Sequence, residues 1–447
     1  MSNIKNLGLA SLGAVLEYFD FVVYVYVAAA VGQAFFPADA SPWLRQIQTF
    51  GIYAVGYLVR PIAGVAIAHY ADKIGRKKLF VFTVLLMSVP TFLMGFLPTY
   101  NQVGWLAPVL LLTLRVLQGC AVGGELPGAS VFIAEHASWN RLGVSSGIFF
   151  GVVNCGLLMG TGAAALAAMI AASKPEWSEL AWRLPFIFGG LFGLLAAYLR
   201  RHLAETPLFI KIKEEQKTSK QTPLATVIQR YRKSCVFALA VVFVMSSMSG
   251  VYFQFLPNYL ISHFHFSQAS IFKANMFGVI AFVIGMPFWG YLSDRIGWGK
   301  TIGFGAVLNA GVCIWFFQQI PGFGPGNSAL AYALIPVGLA GGFVHGLVPG
   351  LISSLFPTAI RQSGFAFPYS IGTAIFTGLT PLALAWLVQG SGFAAPQNFF
   401  LTACFVALCV ALTARFIPKY LGRPPEAIDD RILSGDTASS LSMEAHQ

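Results

Sequence analysis

A short charged stretch, Ala68-His69-Tyr70-Ala71-Asp72-Lys73-Ile74-Gly75-Arg76-Lys77-Lys78, stands between two long apolar runs, Thr49 to Ala68 and Leu79 to Leu97. In that setting it reads as a tight hairpin joining two membrane-spanning helices. Gly75 permits the turn, Asp72 can cap or pair locally, and the three basic residues match the positive charge of cytoplasmic loops. The pattern returns as Gly290-Tyr291-Leu292-Ser293-Asp294-Arg295-Ile296-Gly297-Trp298-Gly299-Lys300. Asp72 and Asp294, Gly75 and Gly297, and Lys78 and Lys300 are each 222 positions apart, close to half of the 447 residues. The chain is therefore two copies of one membrane unit, each with this hairpin after its second helix.

Hydrophobic residues make up 56% of the chain and charged residues 10%. A soluble domain carries about 25% charged residues, so the composition is that of a polytopic membrane protein in a lipid bilayer. The net charge of +11 falls in short loops between spans and does not indicate nucleic acid. The six cysteines have no metal-ligand spacing and are expected as free thiols; no metal and no cofactor is expected. Glu17 and Asp20 interrupt the first apolar run, which argues against a cleavable signal.

Twelve spans of roughly 20 residues or more are expected. They cover Leu7 to Phe36, Thr49 to Tyr70, Leu79 to Leu97, Trp105 to Ala134, Val144 to Ala172 and Trp182 to Leu199. After these come Cys235 to Ser262, Ala269 to Leu292, Thr301 to Ile320, Ala329 to Leu355, Gly364 to Gln389 and Asn398 to Ile417. The domains follow: a six-helix half over 1–199, a polar linker over 200–233, a second half over 234–417 and a polar tail over 418–447, where disorder is expected. With both termini inside, the inner segments hold Lys5, Lys73 to Lys78, Arg141, the linker, Arg295, Lys300, Arg361 and the tail. The outer side keeps Arg45, Lys174, Arg183 and Lys273. That asymmetry puts linker and tail in the cytoplasm.

The doubled hairpin resembles the G-x-x-x-D-x-x-G-R-K loop of the major facilitator superfamily. Ala68 stands where the family usually has glycine, which implies slightly looser helix packing there. The resemblance implies an all-α polytopic membrane protein with twelve transmembrane helices in two six-helix halves. It also implies that Asp72, Gly75 and Arg76, with Asp294, Arg295 and Gly297, close the cytoplasmic side during transport.

Pro127-Gly128 maps onto Pro349-Gly350 by the same 222 offset, but the intramembrane charges do not repeat. Glu17, Asp20, Arg60, Arg115 and Glu125 fall on Leu239, Val242, Phe282, Val337 and Leu347. A charge in a span costs several kcal/mol unless paired or wetted, so each is a candidate site. Asp20 lies roughly 20 Å from the inner start of its span and Arg115 roughly 15 Å from the outer start of its own. Both are thus near the midplane, placed to form an ion pair or share a water cavity. The plainer alternative is a static pair that fixes helix packing. Arg60, ahead of Pro61, has its own plain alternative in satisfying carbonyls freed by the proline. Glu125, nearer the inner end, is assigned to gate closure or packing.

Glu17-Tyr18-Phe19-Asp20-Phe21 looks like the E-x-x-D-F signature of the metabolite:proton symporters, the branch with citrate, 2-oxoglutarate, shikimate and proline/betaine permeases. Arg60-Pro61-Ile62, the Arg115 to Glu125 motif, Trp182-Arg183-Leu184-Pro185-Phe186, the segment Arg200 to Pro207, and Leu355-Phe356-Pro357-Thr358 with Arg361 agree. Ser354 departs from the family's Glu, which implies that a salt bridge near Arg361 is absent. The resemblance implies a proton-coupled carrier for a small organic metabolite, working as a monomer by alternating access. Asp20, Arg115 and the rival Glu17 are the coupling candidates, since an Asp/Arg pair on these helices serves that role in the sugar–proton symporters this chain resembles. Arg115, Arg60, Tyr24, Gln118, Asn154, Gln254, Asn258, His345, Tyr369 and Ser370 are the substrate candidates, although most polar groups on membrane helices only bond to neighbours. Arg361 joins the gating set. A proton-driven exporter of a drug or siderophore on the same fold is the alternative. A membrane sensor or intramembrane enzyme is third, for want of a signalling domain, a metal-ligand cluster or a nucleophile–base motif.

Overall fold

The computed structural model of the protein describes residues 2–63, 76–121, 125–201, 223–264, 266–323, 329–357, 360–392, 394–414 and 416. Every regular element among them is helical. Among the described residues nine helices are long and apolar enough to cross a membrane, and a bent pair makes a tenth. Two shorter helices, Pro42–Leu58 and Arg76–Met94, bring the count to twelve.

The first half contains α1 (Ser2–Tyr26, continued by Ala28–Phe35), α2 (Pro42–Leu58), α3 (Arg76–Met94), α4 (Leu106–Ala121 and Glu125–His136), α5 (Leu142–Ser173) and α6 (Leu184–Arg201). The second contains α7 (Arg232–Ser249, Gly250–Phe255 and Leu256–Phe264), α8 (Gln268–Ile296), α9 (Trp298–Gln319), α10 (Ala329–His345 and Val348–Ser354), α11 (Arg361–Gly372, Thr373–Thr377 and Gly378–Ser391) and α12 (Ala394–Thr413). A short helix, Pro223–Arg230, precedes α7. Residues 202–222 of the expected linker and the whole 418–447 tail lie outside the described residues.

Successive spans alternate in direction, so the turn between α8 and α9 lies at the same end of the bundle as the end of α2 and the start of α3. At this hairpin end Gly297 adopts φ 87°, a conformation that strains any residue with a side chain. That explains the glycine of the second hairpin; Asp72 and Gly75 of the first lie outside the described residues.

Small residues decide where the halves meet. Gly143, Gly147 and Gly151 recur every four positions on one face of α5, and a Cβ at each would run into Gly290, Met286 or Val283 of α8. Without a hydrophobic driving force inside a bilayer, such backbone-level contact is what holds spans together. The Pro-Gly elements repeat this role across the pseudo-symmetry. Gly350 of α10 packs on Leu142 and Ser146 of α5, and Gly128 of α4 faces Gln362 of α11.

Irregular turns also sit at related places. The two segments of α1 meet at 62° around Val27, and α7 widens into a π-helical turn at Gly250–Phe255, which begins at the residue 222 positions after Ala28. The α1 bend is tied to the other half, because Asn258 donates its side-chain amide to the Val25 carbonyl at 2.8 Å. A foreign donor in the helical ladder is a recognised cause of such kinks.

Candidate substrate and proton site

Helical spacing builds the site from three short lists. On α1, Glu17, Asp20, Phe21 and Tyr24 occupy successive turns of one side. On α2 and just past its end, Tyr53, Tyr57 and Arg60 do the same, and on α4 Arg115 and Gln118 are one turn apart. All are buried; the least covered are Tyr57 at 6% exposure and Arg60 and Glu17 at 8% each.

Asp20 and Arg115 do not touch. Arg115 Nη1 donates to Gln118 Oε1 at 2.8 Å, Gln118 Nε2 donates to the Thr91 hydroxyl, and Thr91 Oγ1 lies 3.1 Å from Asp20 Oδ2. A neutral relay thus stands where their depth allowed either a direct ion pair or a shared water cavity. The reason lies in where the guanidinium goes: its Cζ is 3.7 Å from the Tyr24 ring centroid, with Phe21 and Tyr53 at 5.5 and 5.9 Å. Cation–π attraction holds it on α1's aromatic side, whereas Asp20 turns toward α3 and toward Gly189 of α6. The Nε and Nη2 atoms of Arg115 and Oδ1 of Asp20 have no hydrogen-bond partner among the described residues.

The second acid–base pair is Glu17 and Arg60, at 3.8 Å. Arg60 also lies 3.9 Å from the Phe21 ring and 3.7 Å from that of Tyr57, so it is engaged by side chains of α1 and α2 beyond any carbonyl freed by Pro61. The second half closes over this cluster. Tyr53 donates to Gln254 Oε1 at 3.0 Å, Asn258 binds the α1 bend, and Tyr369 of α11 is hydrogen-bonded to Tyr18 of α1. Ser370, next to Tyr369, is half-buried.

Asn154 and His345 sit along α8 instead. Asn154 donates to the Phe150 carbonyl at 2.8 Å and approaches the Met286 sulfur at 3.8 Å. The His345 ring packs edge-on against Phe282, 4.7 Å between centroids. Tyr252 points into the second half, among Phe316, Phe317 and Phe400. The six cysteines are free thiols.

At the hairpin end, Asp294 reaches across to the other half. Its carboxylate accepts from the backbone N–H of Gly143 at 2.7 Å and of Val144 at 2.9 Å, at the first turn of α5. An anion there satisfies otherwise unpaired donors and complements the helix dipole. Arg295 stacks over Tyr291 at 5.1 Å. Arg361 pairs with Glu135 of α4 at 2.6 Å and also donates to the Ser353 and Phe356 carbonyls. The salt bridge expected to be missing because of Ser354 is thus supplied from the opposite half. Since Glu135 is one-third exposed, Glu135→Gln is expected to loosen this latch by about 1 kcal/mol or less. A modest rise in thiol labelling of a cysteine placed inside the hairpin end would report it. The side chains of Arg76 and Glu125 lie outside the described residues.

At the opposite end Trp43 donates to the Ala385 carbonyl at 3.2 Å, and Asn275 of α8 donates to the Tyr26 hydroxyl at 3.1 Å. The halves therefore touch at both ends. Thr91, Tyr53, Glu135, Asn275 and the glycine seam are absent from the sequence-derived candidates. Tyr53 and Tyr57 were detectable by their spacing from Arg60, whereas Thr91 sits in an apolar run with nothing to mark it.

A family model described as Major Facilitator Superfamily matches residues 10–367. The chain belongs to that superfamily. It is 31% identical to the glycine betaine/proline/ectoine/pipecolic acid transporter of Dickeya dadantii (strain 3937), over 99% of this chain and 88% of that protein. It is also 31% identical to the proline/betaine transporter of Escherichia coli (strain K12), over 92% of this chain and 83% of that one. These relatives place it in the branch to which Glu17 through Phe21 pointed. Among solved structures, a D-xylose–proton symporter superposes with a TM-score of 0.71 at 17% identity, covering 95% of this chain and 100% of the other. The xylose transporter of E. coli in a partially occluded inward-open conformation gives 0.71 at 16% identity, over 94% and 98%. This likeness is one of fold, and it matches the twelve-helix architecture.

Proposed function

We propose that the protein is a proton-coupled symporter for a small zwitterion that carries a carboxylate, of the betaine and proline class. The observation that carries this reading is Arg115. It is fully buried, lies near Tyr53, whose hydroxyl reaches Gln254 of the other half, and keeps Nε and Nη2 unpartnered among the described residues. Those two atoms form one edge of the guanidinium fork, the edge that receives a carboxylate through two parallel hydrogen bonds. Along the other edge, Arg115 connects through Gln118 and Thr91 to Asp20. One buried cation therefore joins a carboxylate-binding edge to a protonatable group. The substrates for which the D. dadantii and E. coli relatives are named, both proteins 31% identical, support the zwitterion class.

Alternating access would expose this site first at one end and then at the other, with the Asp294 cap, the Arg361–Glu135 pair and the glycine seam closing the hairpin end. The Lys/Arg distribution supports a cytoplasmic hairpin end and cytoplasmic termini, and the bacterial transporters to which the chain is similar support residence in the cell (inner) membrane. The purified protein in proteoliposomes should accumulate radiolabelled glycine betaine or proline when the outside is made acidic, and a protonophore should abolish accumulation. Equilibration without accumulation would overturn proton coupling; absence of uptake of either compound would overturn the substrate class.

A further inference from the structure

Resting on that reading, we propose that the Tyr24 ring, with Phe21 and Tyr53 beside it, is the binding site for the substrate's ammonium group, and that Arg115 occupies it when substrate is absent. The rings are held by their hydroxyls. Tyr24 donates to the Thr49 carbonyl at 3.1 Å and Tyr53 donates to Gln254 Oε1 at 3.0 Å. Their planes are nearly parallel, 12° apart, with centroids separated by 6.3 Å. Fixed aromatic faces of this kind recognise a desolvated cation, and a quaternary ammonium most of all, because it has no N–H donors to satisfy.

The cation now on the Tyr24 face is the Arg115 guanidinium, 3.7 Å from the centroid. The guanidinium stands in for the ammonium of a zwitterion. Its Nε and Nη2 atoms, unpartnered among the described residues, are the second, independent sign that a ligand belongs here, since a buried donor without an acceptor is costly. A zwitterion answers both features at once. Its ammonium takes over the Tyr24 face, its carboxylate meets the Nε–Nη2 edge, and Arg115 shifts off the ring to stay with that carboxylate. The exchange leaves no charge unpaired, whereas a plain carboxylate would remove Arg115 from its ring and put nothing in its place. Because Tyr53 is bonded to Gln254, the same event is felt by the second half.

The test compares glycine betaine with 3,3-dimethylbutyrate, which has the same shape and carboxylate but a neutral carbon in place of nitrogen. Calorimetric titration of the full-length protein in lipid nanodiscs should give tighter binding of betaine, by about tenfold, the scale of one desolvated cation–π contact. Tyr24→Leu should remove most of that preference, while Tyr24→Phe, which retains the ring, should keep it whatever its effect on absolute affinity. Equal binding of the two compounds by the unmodified protein would overturn the ammonium site and leave the carboxylate reading standing. Binding of neither would overturn both. A preference that persists undiminished in Tyr24→Leu would also overturn the assignment.

Discussion

Asp20→Asn is expected to bind substrate and exchange it across the membrane, yet fail to accumulate it on an imposed proton gradient. The expected loss in accumulation is on the order of tenfold or more, the scale of a typical coupling free energy between two sites. Two acids on α1 compete for the role, and their surroundings separate them. Glu17 has Arg60 at 3.8 Å. Asp20, 1% exposed, meets neutral Thr91 through Oδ2 and leaves Oδ1 unpartnered among the described residues. A proton on Asp20 removes a buried charge with no cation in contact among the described residues; a proton on Glu17 would break an ion pair and strand Arg60. Thr91 gives the site a way to register the change. Its hydroxyl has one proton and two acceptors in reach, Asp20 Oδ2 at 3.1 Å and the Met87 carbonyl at 2.9 Å. With Asp20 ionised, the proton serves the carboxylate. With Asp20 protonated, it can turn to Met87, and the hydroxyl oxygen is left for Gln118 and Asp20 to share. Gln118 passes that difference to Arg115, where the substrate carboxylate is proposed to bind. The amide introduced by Asp20→Asn lacks the titration while keeping the shape, so binding and exchange survive. If Asp20→Asn still concentrates substrate and Glu17→Gln does not, the proton carrier is Glu17.

The sequence announced the fold because its determinants are local or repeated. Apolar runs give the spans by length, and the 222-residue offset gives the two halves without any knowledge of contacts. The intramembrane charges were legible for a similar reason: their cost makes them conspicuous wherever they point. What could not be read was the pairing. Depth along a helix follows from residue count, but the rotation of each span about its axis is set by packing against several others. Asp20 and Arg115 are at similar depth, yet the aromatic face of Tyr24 draws Arg115 to one side and Thr91 engages Asp20 on the other. Likewise nothing near Ser354 hinted that Glu135, more than 200 residues earlier, would pair with Arg361. Neutral participants such as Thr91 and Tyr53 had no cost to betray them, and only their three-dimensional neighbours show what they do.

Gly290 opens the second copy of the hairpin motif, and Gly290→Ala is expected to hold the hairpin end open. A Cβ there would fall well inside van der Waals contact with the Gly143 carbonyl and stand 3.1 Å from Val144 Cα. Both obstacles are backbone atoms of α5, so no rotamer change can relieve the clash. The reverse substitution at Gly143 meets the Gly290 carbonyl, the Ser293 hydroxyl and Asp294 Oδ1. Since α5 and α8 belong to different halves, the easiest relaxation is for the halves to part here, carrying Asp294 away from the Gly143 and Val144 N–H groups that it caps. Overpacking of this size costs about 1–3 kcal/mol, which is roughly a 5- to 150-fold shift of the closed-to-open equilibrium. Each half keeps its own packing, so the amount of protein in the membrane should change little. A cysteine at Ser146, buried at this seam, should label faster in inverted vesicles carrying Gly290→Ala, and accumulation of substrate should fall because closure of this end is part of every cycle. Gly311→Ala is the matched control: its Cβ would meet nothing within 4 Å, and neither labelling nor transport should move. Unchanged labelling at Ser146 in Gly290→Ala would mean that the two glycines pack a static interface, and that the hairpin end opens somewhere other than between α5 and α8.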